Sequence, residues 1–89
     1  MREHPFESIE SAREFVELLA ESIQEALREV REHLEEAKAA NDQRRVEALT
    51  LTIYKMEQLA SHTSKSRRVL NDLRSLRRLL FGERGLGNS

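Results

Sequence analysis

The chain has 89 residues, of which 35% are charged and 4% aromatic, and its formal net charge at pH 7 is −1. This length allows at most one domain, and the absence of cysteine excludes disulfides and thiolate metal sites. No apolar stretch approaches the roughly 20 residues of a membrane span, and the first residues lead into an acidic helix rather than a secretory signal. Many charged residues and few glycines are typical of a long helix or coiled coil. We therefore expect a cytoplasmic all-α protein without a membrane span.

The charge is divided between the two halves of the chain. Residues 1–40 carry eleven Glu against four Arg and one Lys, a net charge of −6, whereas residues 41–89 carry a net charge of +5. An acidic half followed by a basic half either neutralises itself by folding back or presents each half to a different partner. The function of the chain depends on which of these holds.

The first element is a helix predicted over residues 6–40, a stretch without Gly or Pro in which apolar residues recur at helical spacing. The stripe is wider than a two-stranded seam, which favours a bundle helix in contact with two neighbours. One row of the stripe is Ile9, Val16, Ile23, Val30 and Ala37; the second row is Ala12, Leu19, Ala26, His33 and Ala40, and Phe15, Ala20, Leu27 and Leu34 widen it.

A turn is predicted at residues 41–42, where Asn41 suits a left-handed backbone and Asp42 suits the cap of the next helix. A second helix then covers about 43–81, and Gly82 is placed to end it. Residues 1–81 form a single helical-hairpin domain in this prediction, and residues 82–89 form a flexible tail.

The second helix carries its own stripe, which thins between residues 60 and 66. Because this interval contains neither Gly nor Pro, we expect one continuous helix rather than a break. A single hairpin pairs residue i with roughly residue 83 − i, which sets glutamates of the first helix beside arginines of the second. The charge asymmetry is then explained within the chain. The predicted stripe is Val46, Leu49, Ile53, Met56, Leu59 or Ala60, Leu70, Leu73, Leu76 or Arg77, and Leu80.

A lone two-helix hairpin cannot cover stripes of this width, because its buried apolar area hardly balances the entropy of ordering the chain. The fold expected is therefore all-α: a long antiparallel helical hairpin that assembles as a homodimeric four-helix bundle. The alternative is that a different protein covers the stripe.

The C-terminal part of the second helix is the candidate partner-binding segment. Its arginines suit phosphate contacts, but the acidic net charge, the lack of interleaved aromatic residues and the facing glutamates favour pairing within the chain. The pattern is also that of an amphipathic basic helix, typical of a bundle helix and less often of a membrane-surface or groove-binding helix. The residues assigned to partner binding are Arg67, Arg68, Arg74, Arg77, Arg78, Leu79, Leu80 and Phe81.

No catalytic residue, cofactor site or metal site is predicted. A di-metal bundle site needs a Glu-x-x-His pair on two helices, but Val30 stands three residues before His33 and Leu59 stands three before His62. We therefore expect a non-enzymatic interaction or scaffold protein of adaptor type, acting through coiled-coil-like helix packing. The alternative is a nucleic-acid-binding helical dimer that uses the arginine-rich half of the second helix.

Overall fold

A computed structural model describes the backbone of residues 5–82 and the side chains of residues 7–82. The chain forms helix α1 (Pro5–Ala39) and helix α2 (Gln43–Phe81), which pack against each other as an antiparallel hairpin. Within residues 5–82 there is no strand. The all-α hairpin predicted from the sequence is confirmed, and both helices begin and end within one residue of the predicted bounds. From residue 83 onward, the tail predicted to be flexible lies outside the described residues.

The turn has the backbone conformation expected from its two polar residues. Asn41 takes the left-handed conformation with φ 57°, and the Asp42 N–H donates to the carbonyl of Ala37 at 3.0 Å. The Asp42 carboxylate then accepts a hydrogen bond from the N–H of Arg45 at 3.2 Å, which caps α2. At the other end Gly82, with φ 57°, terminates α2. The turn and both ends of α2 are therefore specified by local sequence, as predicted.

Helix α2 runs without a break through residues 61–66, in agreement with the prediction of one long helix. Thr63 is buried at this level, and its hydroxyl donates to the Leu59 carbonyl at 2.9 Å. Because the hydroxyl is satisfied by its own helix, the polar interruption packs between the helices without leaving an unpaired group.

An inner seam joins the two helices along their whole length. Its residues are buried or half-buried and recur at alternating intervals of three and four, the 3.5-residue period of a coiled coil, except that the seam position 74 of α2 is held by the exposed Arg74. In α1 they are Ile9, Arg13, Val16, Ala20, Ile23, Leu27, Val30, Leu34 and Ala37; in α2 they are Val46, Leu49, Ile53, Met56, Ala60, Thr63, Arg67, Leu70 and Arg77.

The residues observed in the seam differ in part from the stripes predicted from the sequence. The second row expected in α1 does not face α2, because Ala12, His33 and Ala40 are exposed, and the residues beside them take its place. In α2, Ala60 rather than Leu59 and Arg77 rather than Leu76 lie in the seam. Leu80 is 69% exposed and lies outside it. The wide stripes of the sequence therefore combine two separate faces of each helix.

Three ion pairs between the helices report the register. Away from the turn, Arg67 pairs with Glu17 and Arg74 pairs with Glu10, and in both pairs the residue numbers sum to 84. Nearer the turn, Arg31 pairs with Glu57, and these numbers sum to 88. The expected register, in which i meets roughly 83 − i, agrees with the first two pairs to within one residue and with the third to within about one to one and a half helical turns. Exposed pairs of this kind contribute about 0.2–1 kcal/mol each, so their main effect is to select the register.

The core of the hairpin is small. Among the described residues, the buried apolar side chains are Ile23, Leu27 and Ala37. Many other apolar side chains of the described residues are exposed, such as Leu18, Leu51 and Leu79, which are 60–66% exposed.

The inner seam should carry most of the hairpin's stability. Leu27→Ala removes one of the few buried side chains and should lower the free energy of unfolding by about 2–4 kcal/mol, measured by urea denaturation followed by circular dichroism. Leu51→Ala is the matched control, because Leu51 is 60% exposed, and its effect should stay within about 0.5 kcal/mol. Equal losses in the two variants would contradict the assignment of the seam.

Candidate interaction surfaces

One side of the hairpin, here called the ion-pair face, carries the charged contacts between the helices. Arg67 approaches Glu17 through two nitrogens, Nε and Nη2, each 3.3 Å from a different carboxylate oxygen. Towards the turn, Arg31 pairs with Glu57 at 2.6 Å. This face is built from residues that directly follow seam residues in α1, together with long side chains of α2; its members are Glu10, Glu17, Gln24, Arg31, Glu57, Arg67 and Arg74.

Glu10 is the most strongly engaged carboxylate of this face. Its Oε1 lies 3.0 Å from Arg13 Nε, and its Oε2 lies 3.2 Å from Arg74 Nε. The hydrogen bond from Arg13, joined by the positive charges of Arg13, Arg74 and Arg77, lowers the pKa of Glu10 below its ordinary value of 4.5, although partial burial opposes the shift. Glu10 therefore links both helices at the end of the hairpin opposite the turn.

The five arginines predicted to bind a partner do not form one surface. Arg67 and Arg74 are paired with glutamates of α1, and half-buried Arg77 lies in the inner seam. Arg78 is exposed and lines an open groove together with Glu10, Arg74 and Arg77, whereas Arg68 is exposed on the outer side of α2. Folding thus directs part of the predicted basic patch into contacts within the chain.

The apolar C-terminal residues of α2 are all exposed. Because consecutive helical residues are rotated by about 100°, Leu79, Leu80 and Phe81 point in three different directions. Only Leu80 continues the regular spacing of the apolar residues that precede it. The three residues therefore do not form one compact patch.

A second apolar row runs along α2 beside the seam. It repeats at intervals of three and four over the last three-fifths of the helix, and most of its apolar members are exposed. The intervals match those of a coiled-coil seam, so this part of α2 has the pattern needed to pack on a further helix. The row consists of Leu59, His62, Ser66, Val69, Leu73, Leu76 and Leu80.

Helix α1 carries a matching row, which is shorter and has smaller side chains. Phe15 is 65% exposed, and Leu19 lies beside it. The row continues the same alternation of three and four, and its members are Ser8, Ala12, Phe15, Leu19, Ser22 and Ala26. It covers the half of α1 that lies away from the turn, which is also where the row of α2 lies.

The two rows lie on the same side of the hairpin. Residues 12, 19 and 26 directly precede the α1 seam residues 13, 20 and 27. In the same way, residues 59, 66 and 73 directly precede the α2 seam positions 60, 67 and 74. In an antiparallel pair these equivalent flanks lie next to each other. An open groove lined by Val16, His62, Ser66 and Val69 runs between the helices on this side. We call the surface formed by the two rows the apolar face; it lies opposite the ion-pair face.

The apolar face and the seam are not separate in the stripe predicted from the sequence. The signal of the apolar face is the series of intervals of three and four from residue 59 to residue 80, but the predicted stripe combines four residues of this series with seam residues: Leu59, Leu73, Leu76 and Leu80. On a single helix the two rows are neighbours. Only the packed partner helix shows which of them is already covered.

The described residues contain neither a metal-binding cluster nor a helix that could cross a membrane. Within residues 7–82 no three His, Asp or Glu side chains converge in a way that would hold a metal ion, and His33 Nδ1 lies 3.5 Å from Glu36. Neither helix, over the part of the chain that the structure describes, is apolar enough along its length to cross a membrane.

Comparison of the chain with protein-family models, with curated proteins and with solved structures found no match. The two faces of the hairpin are therefore the features that bear on its function.

The lowered pKa of Glu10 leads to a pH-dependent prediction. A folded-state pKa below the unfolded value gives stability that is present above pH 4.5 and is lost as the pH falls through the folded pKa. Glu10→Gln should therefore lower the urea midpoint at pH 7, and the gap to the unmodified protein should close progressively in acid. Glu14→Gln, an exposed glutamate of the same helix, controls for the loss of one negative charge. The same gap in both variants at every pH would contradict a special role for Glu10.

Proposed function

We propose that this chain is a non-enzymatic interaction protein, of scaffold or adaptor type, which acts through coiled-coil-like packing of its helices. The observation that carries this proposal is the apolar face, a regularly spaced row on each of two adjacent helices in which most side chains are apolar and exposed. Contiguous exposed apolar surface of this kind is typical of a site of association.

The first partner proposed is a second copy of the chain, which gives a homodimeric four-helix bundle. The apolar face is not covered within the hairpin: Val69, Leu76 and Leu80 are 49–69% exposed. Since both helices carry a heptad-spaced row, a second hairpin can cover the whole face at once. Self-association therefore completes the core without any other molecule.

A homodimer of this kind leaves its charged surfaces for a further protein partner. The ion-pair face and the outer sides of the helices stay accessible, including Arg68 and the exposed ring of Tyr54. A cysteine-free chain also suits the reducing cytoplasm that we propose as its location.

Nucleic-acid binding is the second candidate function. It is supported by the groove at the open end of the hairpin, where Arg74, Arg77 and Arg78 surround one carboxylate, that of Glu10. Against it, Arg67 and Arg74 are already paired with glutamates, so a phosphate would have to compete with contacts inside the chain. We therefore favour the interaction protein.

Self-association is tested by the solution mass, measured by light scattering after size exclusion over a range of concentrations. The unmodified chain should have twice the mass of one chain, and Leu76→Glu should reduce it to one chain because a charge is placed on the apolar face. Leu51→Glu is the control, since Leu51 is an exposed leucine of the same helix away from that face. A single-chain mass for the unmodified protein at every concentration, or dissociation by both variants alike, would show that this face does not mediate self-association.

Nucleic-acid binding is tested by fluorescence anisotropy with labelled RNA and DNA duplexes at about 50 and 200 mM salt. Under the favoured proposal we expect no binding at the higher salt. Binding that weakens steeply with salt and is lost in the double variant Arg74→Glu/Arg77→Glu would instead support the second candidate. Arg44→Glu/Arg45→Glu, two exposed arginines near the turn, is the control for charge alone.

A further inference from the structure

We propose that two copies of the hairpin pack through their apolar faces about a two-fold axis that runs parallel to the helices. Helix α1 of one copy then lies on α2 of the other, and both turns lie at the same end of the bundle. This inference rests on the proposed self-association and specifies its geometry.

Symmetry leaves two ways of placing one flat face on its copy. The two-fold axis lies in the plane between the faces and runs either along the helices or across them. An axis along the helices stacks α1 on α2 of the other copy. An axis across the helices stacks α1 on α1 and α2 on α2, and it sends the two turns in opposite directions.

Charge distinguishes the two arrangements. Helix α1 has a net charge of −6 and helix α2 a net charge of +6. With the axis along the helices, every helix of the bundle has neighbours of opposite charge. With the axis across them, α1 meets α1 and α2 meets α2, so that like charges face each other at the margins of the interface.

Side-chain size favours the same arrangement. The row of α1 consists mainly of small residues, including Ala12, Ser22 and Ala26, whereas the row of α2 contains four leucines and a valine. Small residues opposite large ones allow the layers to interdigitate at the density of a protein interior. Stacking each helix on its own copy would set small residues against small ones and leucines against leucines.

The level at which residues meet follows from the observed register. Because helix positions that share a level sum to about 84, an axis along the helices keeps that sum between copies. Ser22 of one copy then meets His62 of the other, and Phe15 meets Val69. Nearer the turn, where Arg31 pairs with Glu57 at a sum of 88, the two rows continue as Glu29 and Lys55, which lie within about one helical turn of the same level. The charged ends of the rows thus face each other as opposite charges.

An axis across the helices gives these charges no such partner. If the copies overlap completely, Glu29 and Lys55 meet the apolar parts of the rows, where a charge is costly. If only the apolar halves of the two copies overlap, about half of the length of the interface is lost. A full-length overlap of two helices side by side covers about 50 Å by 20 Å, or roughly 1,000 Å² per copy, enough for a stable interface.

The geometry is tested by the distance between spin labels in the dimer. Because the chain has no cysteine, Arg44→Cys places a single nitroxide at an exposed position next to the turn. With both turns at one end, the label-to-label distance measured by double electron–electron resonance should be about 25 Å. With the axis across the helices, it should be about 50 Å or more.

Disulfide formation between different single-cysteine proteins tests the pairing of residues. A mixture of Ser22→Cys and His62→Cys proteins should form a cross-linked dimer rapidly under mild oxidation, whereas each variant alone should do so at least tenfold more slowly. Val69→Cys alone and His62→Cys alone are the matched probes of the other arrangement. When α2 stacks on α2, residue 69 meets its own copy if the apolar halves overlap, and residue 62 meets its own copy if the helices overlap completely.

The outcomes separate this geometry from self-association itself. A distance of about 50 Å or more, or rapid cross-linking of Val69→Cys or of His62→Cys to itself, overturns the proposed axis while the dimer stands. A single-chain mass with no measurable distance between labels overturns self-association, and the geometry with it.

Discussion

Partway along α2, most of the apolar residues move from the inner seam to the adjacent flank of the helix, and the rest of the structure depends on this shift. From Val46 to Ala60 the apolar residues lie in the inner seam, where they pack on α1. Beyond Thr63 the seam instead contains Arg67 and Arg77, and most of the apolar residues lie on the adjacent flank. Because one helix cannot cover two flanks at once, the half of the hairpin away from the turn holds its own seam mainly through charged contacts and leaves its apolar surface outside.

The ion pairs follow from this change. Once arginines replace apolar residues in the seam, their guanidinium groups must reach a carboxylate or water, and Glu10 and Glu17 stand at the right level on α1. The paired charges fix the register without adding much stability. The acidic and basic halves of the chain therefore pair with each other, at least in part, within the hairpin.

The two faces thus have different properties. The ion-pair face is satisfied within one chain, whereas the apolar face has heptad spacing but no partner helix in the hairpin. A protein built in this way resembles half of a bundle, which is why we place its function in association. The turn, with its left-handed Asn41 and its cap at Asp42, is the short connection between the two helices.

Much of the fold was predictable because its signals are local. The absence of Gly and Pro from the interiors of both helices, the left-handed preference of Asn41, the capping carboxylate of Asp42 and the stop at Gly82 depend only on neighbouring residues. Even the register could be estimated, since a hairpin with one short turn must pair residues whose numbers have a constant sum. Periodicity could not show which of two adjacent rows is covered, as Leu59 with Ala60 and Leu76 with Arg77 illustrate.

The sequence by itself determined the helices, their ends, the turn and the antiparallel pairing, because each is set by backbone preferences or by chain length. The sequence also favoured pairing of arginines with glutamates within the chain. Only the tertiary structure decided which residues pair, Arg67 with Glu17 and Arg74 with Glu10, and that Val69 and Leu76 lie on an uncovered face. The physical reason is that burial is a property of pairs of surfaces. A residue's position on its own helix determines the direction in which its side chain points. Only the position of the neighbouring helix determines whether that side chain is covered.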